Sequence, residues 1–427
     1  MANFHPHRTT ARFGTLPVFM TSISTILGAI LFLRFGYAVG NLGFIGVIGI
    51  ILLGHMVTVP TAMAVAEIAT NQKVQGGGAY YIISRSFGLN IGASIGIALF
   101  LSQAISTAFY VIAFSEAFDP LIRYLHFEFN TPLIDKRWIG LFSMTLLSVI
   151  ILTRGANMGI KALYVVMALL FTSLLFFFLG KQTTPEQTFE LNARIRDPDD
   201  FFFVFTIVFP AFTGLIAGLG LSGDLRNPGR SIPRGTMLAT FGGLVVYVLV
   251  AYKLALSASP AELASDQLVM SKIALWGPII PIGLAAASLS SALGSIMVAP
   301  RTLQAIGMDR VFPGSRMNEW LARGKAKDNE PVNGAMVSII IGFVFVAFGD
   351  IDFVARIISM FFMVTYGAIC LISLLEHFAA DPSYRPTFRS RWYLSLIGAV
   401  TSFWLIFRMN APYALLSLLI MGGIYAM

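Results

Sequence analysis

The chain of 427 residues is 56% hydrophobic and only 12% charged, against roughly 25% charged in an ordinary soluble protein, which excludes a water-soluble surface. About 239 of its residues are apolar, close to what about twelve membrane helices of about 20 residues consume. The 29 Lys and Arg against 21 Asp and Glu give a net charge of +8, which in such a chain is read loop by loop as orientation and not as nucleic-acid binding.

Residues 1–15 read as a basic, polar cytoplasmic tail with no cleavable signal, so the first span doubles as the targeting signal. Apolar stretches then predict spans at about 16–40, 42–67, 90–118, 138–153, 160–180, 201–222, 236–257, 273–299, 333–349, 353–375, 393–407 and 411–427. With the N-terminus inside and the spans alternating, 18 of the 29 Lys and Arg fall in inner segments and Arg34 falls within the first span. That bias places both termini in the cytoplasm of a multi-pass protein. The expected organisation is one transmembrane domain over 16–427, with no soluble C-terminal domain. A lone Cys370 excludes an internal disulfide.

Two spans share a feature. Thr25-Ile26-Leu27-Gly28-Ala29-Ile30 and Pro210-Ala211-Phe212-Thr213-Gly214-Leu215-Ile216 each carry a Gly at mid-membrane, five spans apart. Interrupted spans at corresponding positions point to an inverted-repeat transporter with its site at the midplane. The expected architecture is therefore all-α, with five plus five inverted spans (about 16–180 and about 201–378) followed by two extra helices over about 392–427. A broken helix in hydrocarbon frees backbone groups that cost several kcal/mol each when unpaired. Free N–H groups at Gly28-Ala29-Ile30 and Gly214-Leu215-Ile216 suit an anion such as chloride. The carbonyl ends near Ser24 to Leu27 and at Pro210 suit cations, and Pro210 strengthens the second break by lacking a donor. The alternative is that Gly28 and Gly214 only permit close helix packing.

Other residues carry weaker signals. Tyr110 reads as a packed or interfacial aromatic, with a cation-facing phenol as the alternative. Ser290 and Ser291 offer adjacent hydroxyls for a hard cation, although membrane serines usually bond back to their own helix. Glu67, Glu116 and Glu376 lie toward span ends, where snorkelling is cheap, and His55 reads as a satisfied packing residue. Gly76-Gly77-Gly78 lacks the Lys of a phosphate-binding loop and reads as an inner loop or hinge. With no Cys/His metal spacing and no Ser-His-Asp set, an enzyme has no constellation to stand on.

Together these motifs resemble the cation-chloride cotransporters of the amino acid, polyamine and organocation superfamily. The resemblance is carried by Gly28 with its neighbours, by Ala69 to Gly77, Ile83-Ser84-Arg85-Ser86-Phe87-Gly88, Phe209 to Gly214, Ser222-Gly223-Asp224-Leu225, Leu289 to Leu293, Ala299-Pro300-Arg301, Asn329-Glu330-Pro331 and Arg385-Pro386. It implies a leucine-transporter-type fold and electroneutral symport of chloride with Na+ and/or K+ by alternating access, in the cell membrane, without a resident cofactor.

Carried over by position, the sodium site falls on Ser24, Leu27, Ala287, Ser290 and Ser291, and the potassium site on Thr25, Ile26, Tyr110, Pro210 and Thr213. One chloride site falls on Gly28, Ala29 and Ile30, the other on Gly214, Leu215, Ile216 and Tyr366. The intact Ser290-Ser291 pair together with Tyr110 makes the sodium-potassium-chloride branch the most similar. Thr25 stands where animal members usually have Asn, and Leu27 where they have Trp. The partners implied are lipid, small inorganic ions and a candidate homodimer, with no nucleic acid. The rivals are an amino acid permease, a K+-Cl- or Na+-Cl- cotransporter, and a non-transporting sensor on the same scaffold.

Overall fold

The computed structural model describes residues 14–71, 79–154, 160–183, 189–218, 225–325, 329–379 and 384–426. Most of the expected tail, the segment with Gly76-Gly77-Gly78, Ser222-Gly223-Asp224 and Met427 lie outside the described residues. The described residues are helical, with no strand.

In chain order they form α1 (Thr15–Ile26), α2 (Ala29–Leu33), α3 (Phe35–Asn71), α4 (Ala79–Phe87), α5 (Leu89–Glu116), α6 (Asp119–Phe129), α7 (Lys136–Arg154), α8 (Ile160–Phe178) and α9 (Phe201–Val208). The second half continues with α10 (Pro228–Ser257), α11 (Pro260–Ser265), α12 (Val269–Ile273), α13 (Ile279–Met308), α14 (Ser315–Ala322), α15 (Val332–Phe348), α16 (Ile351–Ala379) and α17 (Trp392–Ala426).

Among the described residues, nine helices are long and apolar enough to cross a membrane, and two shorter apolar helices cover Leu163–Phe178 and Val332–Phe348. Two of the elements bend where the sequence predicts span boundaries. In α3 the bend is at Gly43, whose φ of 70° is a conformation that strains residues with a Cβ. In α17 it is at Asn410, just ahead of Pro412.

Large apolar side chains point outward all round, as at Phe142, Val165, Leu238, Ile340 and Val400, which is what lipid and not water as solvent requires. The interrupted elements sit inside. The α1 helix lies along α10 and touches α8 and α13, α9 lies against α3 and α16, and α5 packs on α13 and α16. Small residues let these helices approach closely: a Cβ at Gly283 would lie 2.1 Å from the Ser173 hydroxyl.

The acidic residues depart from the snorkelling expectation. Glu67 is fully buried. Its Oε2 accepts from the Ser373 hydroxyl at 3.0 Å and from the Ser390 N–H at 3.3 Å, and His377 lies 3.7 Å from Oε1. Glu116 is also buried, paired to Lys136 at 2.6 Å. A carboxylate with donors supplied inside the protein has no need to reach the interface. His55 matches its expected packing role, with Nδ1 at 2.7 Å from its own helix at Ile51 O.

Replacing Glu67 by Ala removes the acceptor of the Ser390 N–H and one of the two partners of the Ser373 hydroxyl, and should lower stability by about 2–4 kcal/mol. Thermal unfolding in detergent checks this, with Glu128→Ala at an exposed position as a control expected within about 0.5 kcal/mol of the parent. Equal melting of the two variants would remove the buried-carboxylate account.

Candidate ion-binding site

Helix α1 stops because the chain turns away at Leu27 (φ −79°, ψ 30°) and Gly28 (φ −83°, ψ −145°) before α2 begins. Gly28 passes so close over the preceding turn that a Cβ there would lie 2.8 Å from the Thr25 carbonyl oxygen. No side chain caps the start of α2, so its first N–H groups have no partner within the helix. Leu27, Ala29 and Ile30 are all buried.

The second interruption has a different build from the first. Helix α9 ends at Val208 and tightens into a 3₁₀ turn over Phe209–Phe212, with Pro210 in its first turn. Thr213 still bonds its N–H to Pro210 O at 3.2 Å, and 3₁₀ geometry resumes over 214–218. The sequence suggested that a second half-helix starts at Gly214, and a 3₁₀ segment is what the described residues form there. Pro210 supplies no N–H to the ladder, which favours the shorter-range bonding.

The two interruptions touch. A Cβ on Gly214 would lie 2.7 Å from the Ile26 nitrogen and 2.9 Å from Thr25 Cβ. Tyr247, on α10, places its hydroxyl 2.5 Å from Ile26 O and 2.6 Å from Ala211 O, one carbonyl from each break. The Tyr366 hydroxyl, on α16, donates to Thr213 O at 2.5 Å, and Thr213 Oγ1 donates to Pro210 O at 2.8 Å. Tyr110, on α5, is buried and meets the Phe109 ring edge-on at 5.3 Å.

The structure thus gathers Ile26, Gly28, Pro210, Thr213, Gly214 and Tyr366 around one centre, and Tyr110 is buried on α5. The hydroxyls of Ser24 and Thr25 turn back onto Thr21 O at 3.1 and 3.0 Å, so what these residues direct elsewhere is main chain. On α13, which packs against α1 and α2, Ala287 and Ser291 are buried and Ser290 is half-buried. The Ser291 hydroxyl is a buried oxygen with no protein hydrogen-bond partner, contrary to the back-bonding usual for membrane serines. Leu215 and Ile216 are buried beside the second break.

Two features escaped the sequence reading: the role of Tyr247 and the partner of Arg34. Tyr247 is one of 13 tyrosines, and its only sequence signal is that a phenol in an apolar span needs a partner. Arg34, directly after α2, is 4% exposed and grips both oxygens of Asp352 at 2.7 and 3.2 Å, which is the bidentate arrangement that favours Arg. Near this end, Tyr37 hydrogen-bonds Asp199. A cavity of about 480 Å³ is lined by Glu116, Lys136, Asp266 and Lys272 among others. The hydrogen bond from Lys272 to Asp266 raises its ammonium pKa above the ordinary range. The arrangement is a buried centre with main-chain polar ends and an ion pair at one end.

Comparison with known proteins agrees with this architecture. The family model described as Amino acid permease matches residues 17–427. Solute carrier family 12 member 1 of Mus musculus is 32% identical over 448 residues, covering 92% of this chain and 40% of that protein. Solute carrier family 12 member 2 of Homo sapiens is 31% identical over 461 residues, covering 96% and 38%, and that of Squalus acanthias is 32% identical over 466 residues with the same coverage. The chain spans about two fifths of the length of these curated relatives. They bear out the resemblance drawn from the sequence motifs.

Gly214→Ala should push the two breaks apart and lower stability by about 1–3 kcal/mol, whereas Gly294→Ala, whose Cβ meets nothing within 4 Å, should be neutral or stabilising. Paired thermal melts decide it. A Gly214 variant as stable as the Gly294 one would mean that the breaks are not in contact.

Proposed function

The chain belongs to the amino acid permease family, and on that premise we propose that it is a secondary active symporter carrying chloride together with Na+ and K+ by alternating access. The observation that carries this reading is the direct contact of two interrupted helices at a buried centre, one carbonyl of each break reached by the same Tyr247 hydroxyl. Such a centre holds small bare ions, because main-chain dipoles replace their water shells without large side chains having to move.

In this reading, potassium lies among the carbonyl groups of Thr25, Ile26 and Pro210 with the hydroxyls of Thr213 and Tyr110. Sodium is held by main chain at Ser24, Leu27 and Ala287 with the hydroxyls of Ser290 and Ser291, of which the Ser291 oxygen awaits a partner. Chloride faces the free N–H groups of Gly28, Ala29 and Ile30, and a second chloride faces Gly214, Leu215 and Ile216 beside Tyr366. Cations and anions bound together offset each other's charge, so the loaded carrier crosses with little work against the membrane potential. The Arg34–Asp352 pair closes one end and parts when that end opens. The protein would sit in the cell membrane with both termini in the cytoplasm, as the Lys and Arg bias suggests.

An amino acid permease is the reading that the family match keeps in view. The close approach of Gly214 to Ile26 and Thr25 supports small ions over a substrate carrying a side chain. Uptake of labelled chloride and rubidium into proteoliposomes, with each ion withdrawn in turn, separates the two. The expected result is mutual dependence without net current; uptake of an amino acid indifferent to chloride would replace this reading.

Two variants test the cation assignments. Ser291→Ala should abolish sodium dependence, roughly a tenfold or greater loss of sodium-stimulated uptake for about 1.4 kcal/mol or more of lost coordination. Tyr110→Phe should weaken rubidium dependence by a comparable factor, and unchanged rubidium kinetics would leave Tyr110 as packing alone.

A further inference from the structure

The Tyr247 phenol carries one proton, yet two carbonyl oxygens lie within hydrogen-bond distance of it, Ile26 O at 2.5 Å and Ala211 O at 2.6 Å. It serves one of them at a time, and the other contact sets two oxygens face to face. The ring has little freedom to relieve this. It is fully buried, stacked on Phe35 at 4.9 Å between centroids with an interplanar angle of 20°, and met edge-on by Phe212 at 5.3 Å. One turn earlier on α10, Gly243 is packed so tightly on the first break that a Cβ would lie 2.6 Å from Ile26 Cγ2. What remains free is rotation of the hydroxyl proton between the two carbonyls.

Ile26 O belongs to the first interruption and Ala211 O to the second. We propose that Tyr247 is the positioning residue that couples the two interruptions, its one proton passing from the Ile26 carbonyl to the Ala211 carbonyl when a monovalent cation takes the Ile26 oxygen. In the empty site the phenol pairs Ile26 O and leaves Ala211 O short of a donor. A cation on Ile26 O frees the proton, and Ala211 O gains it, so binding at the first break strengthens the tie to the second. Tyr247 touches no ion in this scheme; it acts through the carbonyls. The inference rests on the symporter reading for the identity of the cation, while the tie itself rests on geometry alone.

The test is Tyr247→Phe, which keeps the ring and removes the proton, prepared in nanodiscs and in proteoliposomes. Hydrogen exchange should rise together in the peptides covering 22–30 and 209–216 and stay unchanged in α5 and α13. The KM for rubidium should rise tenfold or more while that for chloride changes less than threefold, a split that general loosening of the fold would not produce. Exchange unchanged in either break overturns the tie. Raised exchange with rubidium and chloride KM values both unmoved, or moved equally, overturns the coupling to the cation.

If wild-type uptake needs no cation, the symporter reading falls while the exchange result still judges the tie. Where the Phe variant does not fold, 3-fluorotyrosine at position 247 takes its place. Its fluorine resonance should shift on adding rubidium chloride and not choline chloride, and a resonance indifferent to rubidium overturns the proposal.

Discussion

Backbone N–H and C=O groups cannot be left unpaired inside a membrane, since each costs several kcal/mol when stripped of partners. This protein interrupts two of its central helices and so creates such groups deliberately. The structure answers part of the demand with hydroxyls: Tyr247 for one of Ile26 O and Ala211 O, Tyr366 for Thr213 O, and the Thr213 side chain for Pro210 O. The start of α2 carries no side-chain cap, and the Ser291 oxygen is among the buried hydroxyls with no protein partner.

Helix α16 shows how that centre is held in its frame. At its start, Asp352 receives Arg34 from just beyond the first break. Along its length, Ser359 donates to Thr206 O at 2.9 Å and Tyr366 to Thr213 O, both on the second interrupted element. Toward its end, Ser373 and His377 meet Glu67 of α3. One helix therefore ties the residue that ends α2, the second interruption and the buried carboxylate at the far end of α3. The Arg34–Asp352 pair and Oε2 of Glu67 find their partners on elements remote in sequence.

Much of the fold was legible in the sequence because lipid imposes a simple code. Long apolar runs read directly as helices, and the run boundary near residue 41 and that near 410 coincide with bends at Gly43 and Asn410. The breaks were legible because Gly28 and Gly214 each follow a Thr-containing stretch, the second with Pro210 in it. What could not be read was pairing across hundreds of residues. Arg34 stood out as a charge at membrane depth, but nothing local pointed to Asp352. Glu67 looked like a snorkelling span-end residue because its partners, Ser373 and Ser390, arrive only through tertiary packing. Tyr247 carried no distinguishing neighbours, and the chain beyond Thr213 winds as 3₁₀ where Gly214 and Gly218 pack on α1, a contact that propensity does not encode.

The central claim is that exposed main-chain ends at the two interruptions take the place of water around small ions. Anomalous scattering from crystals soaked in rubidium bromide tests it most directly, since both ions scatter distinctively. The account predicts a rubidium peak bounded by the carbonyls of Ile26 and Pro210, and bromide peaks against the N–H groups following Gly28 and Gly214. Density for both ions confined to the outer cavity near Lys136 and Lys272, with the two breaks empty, would contradict it.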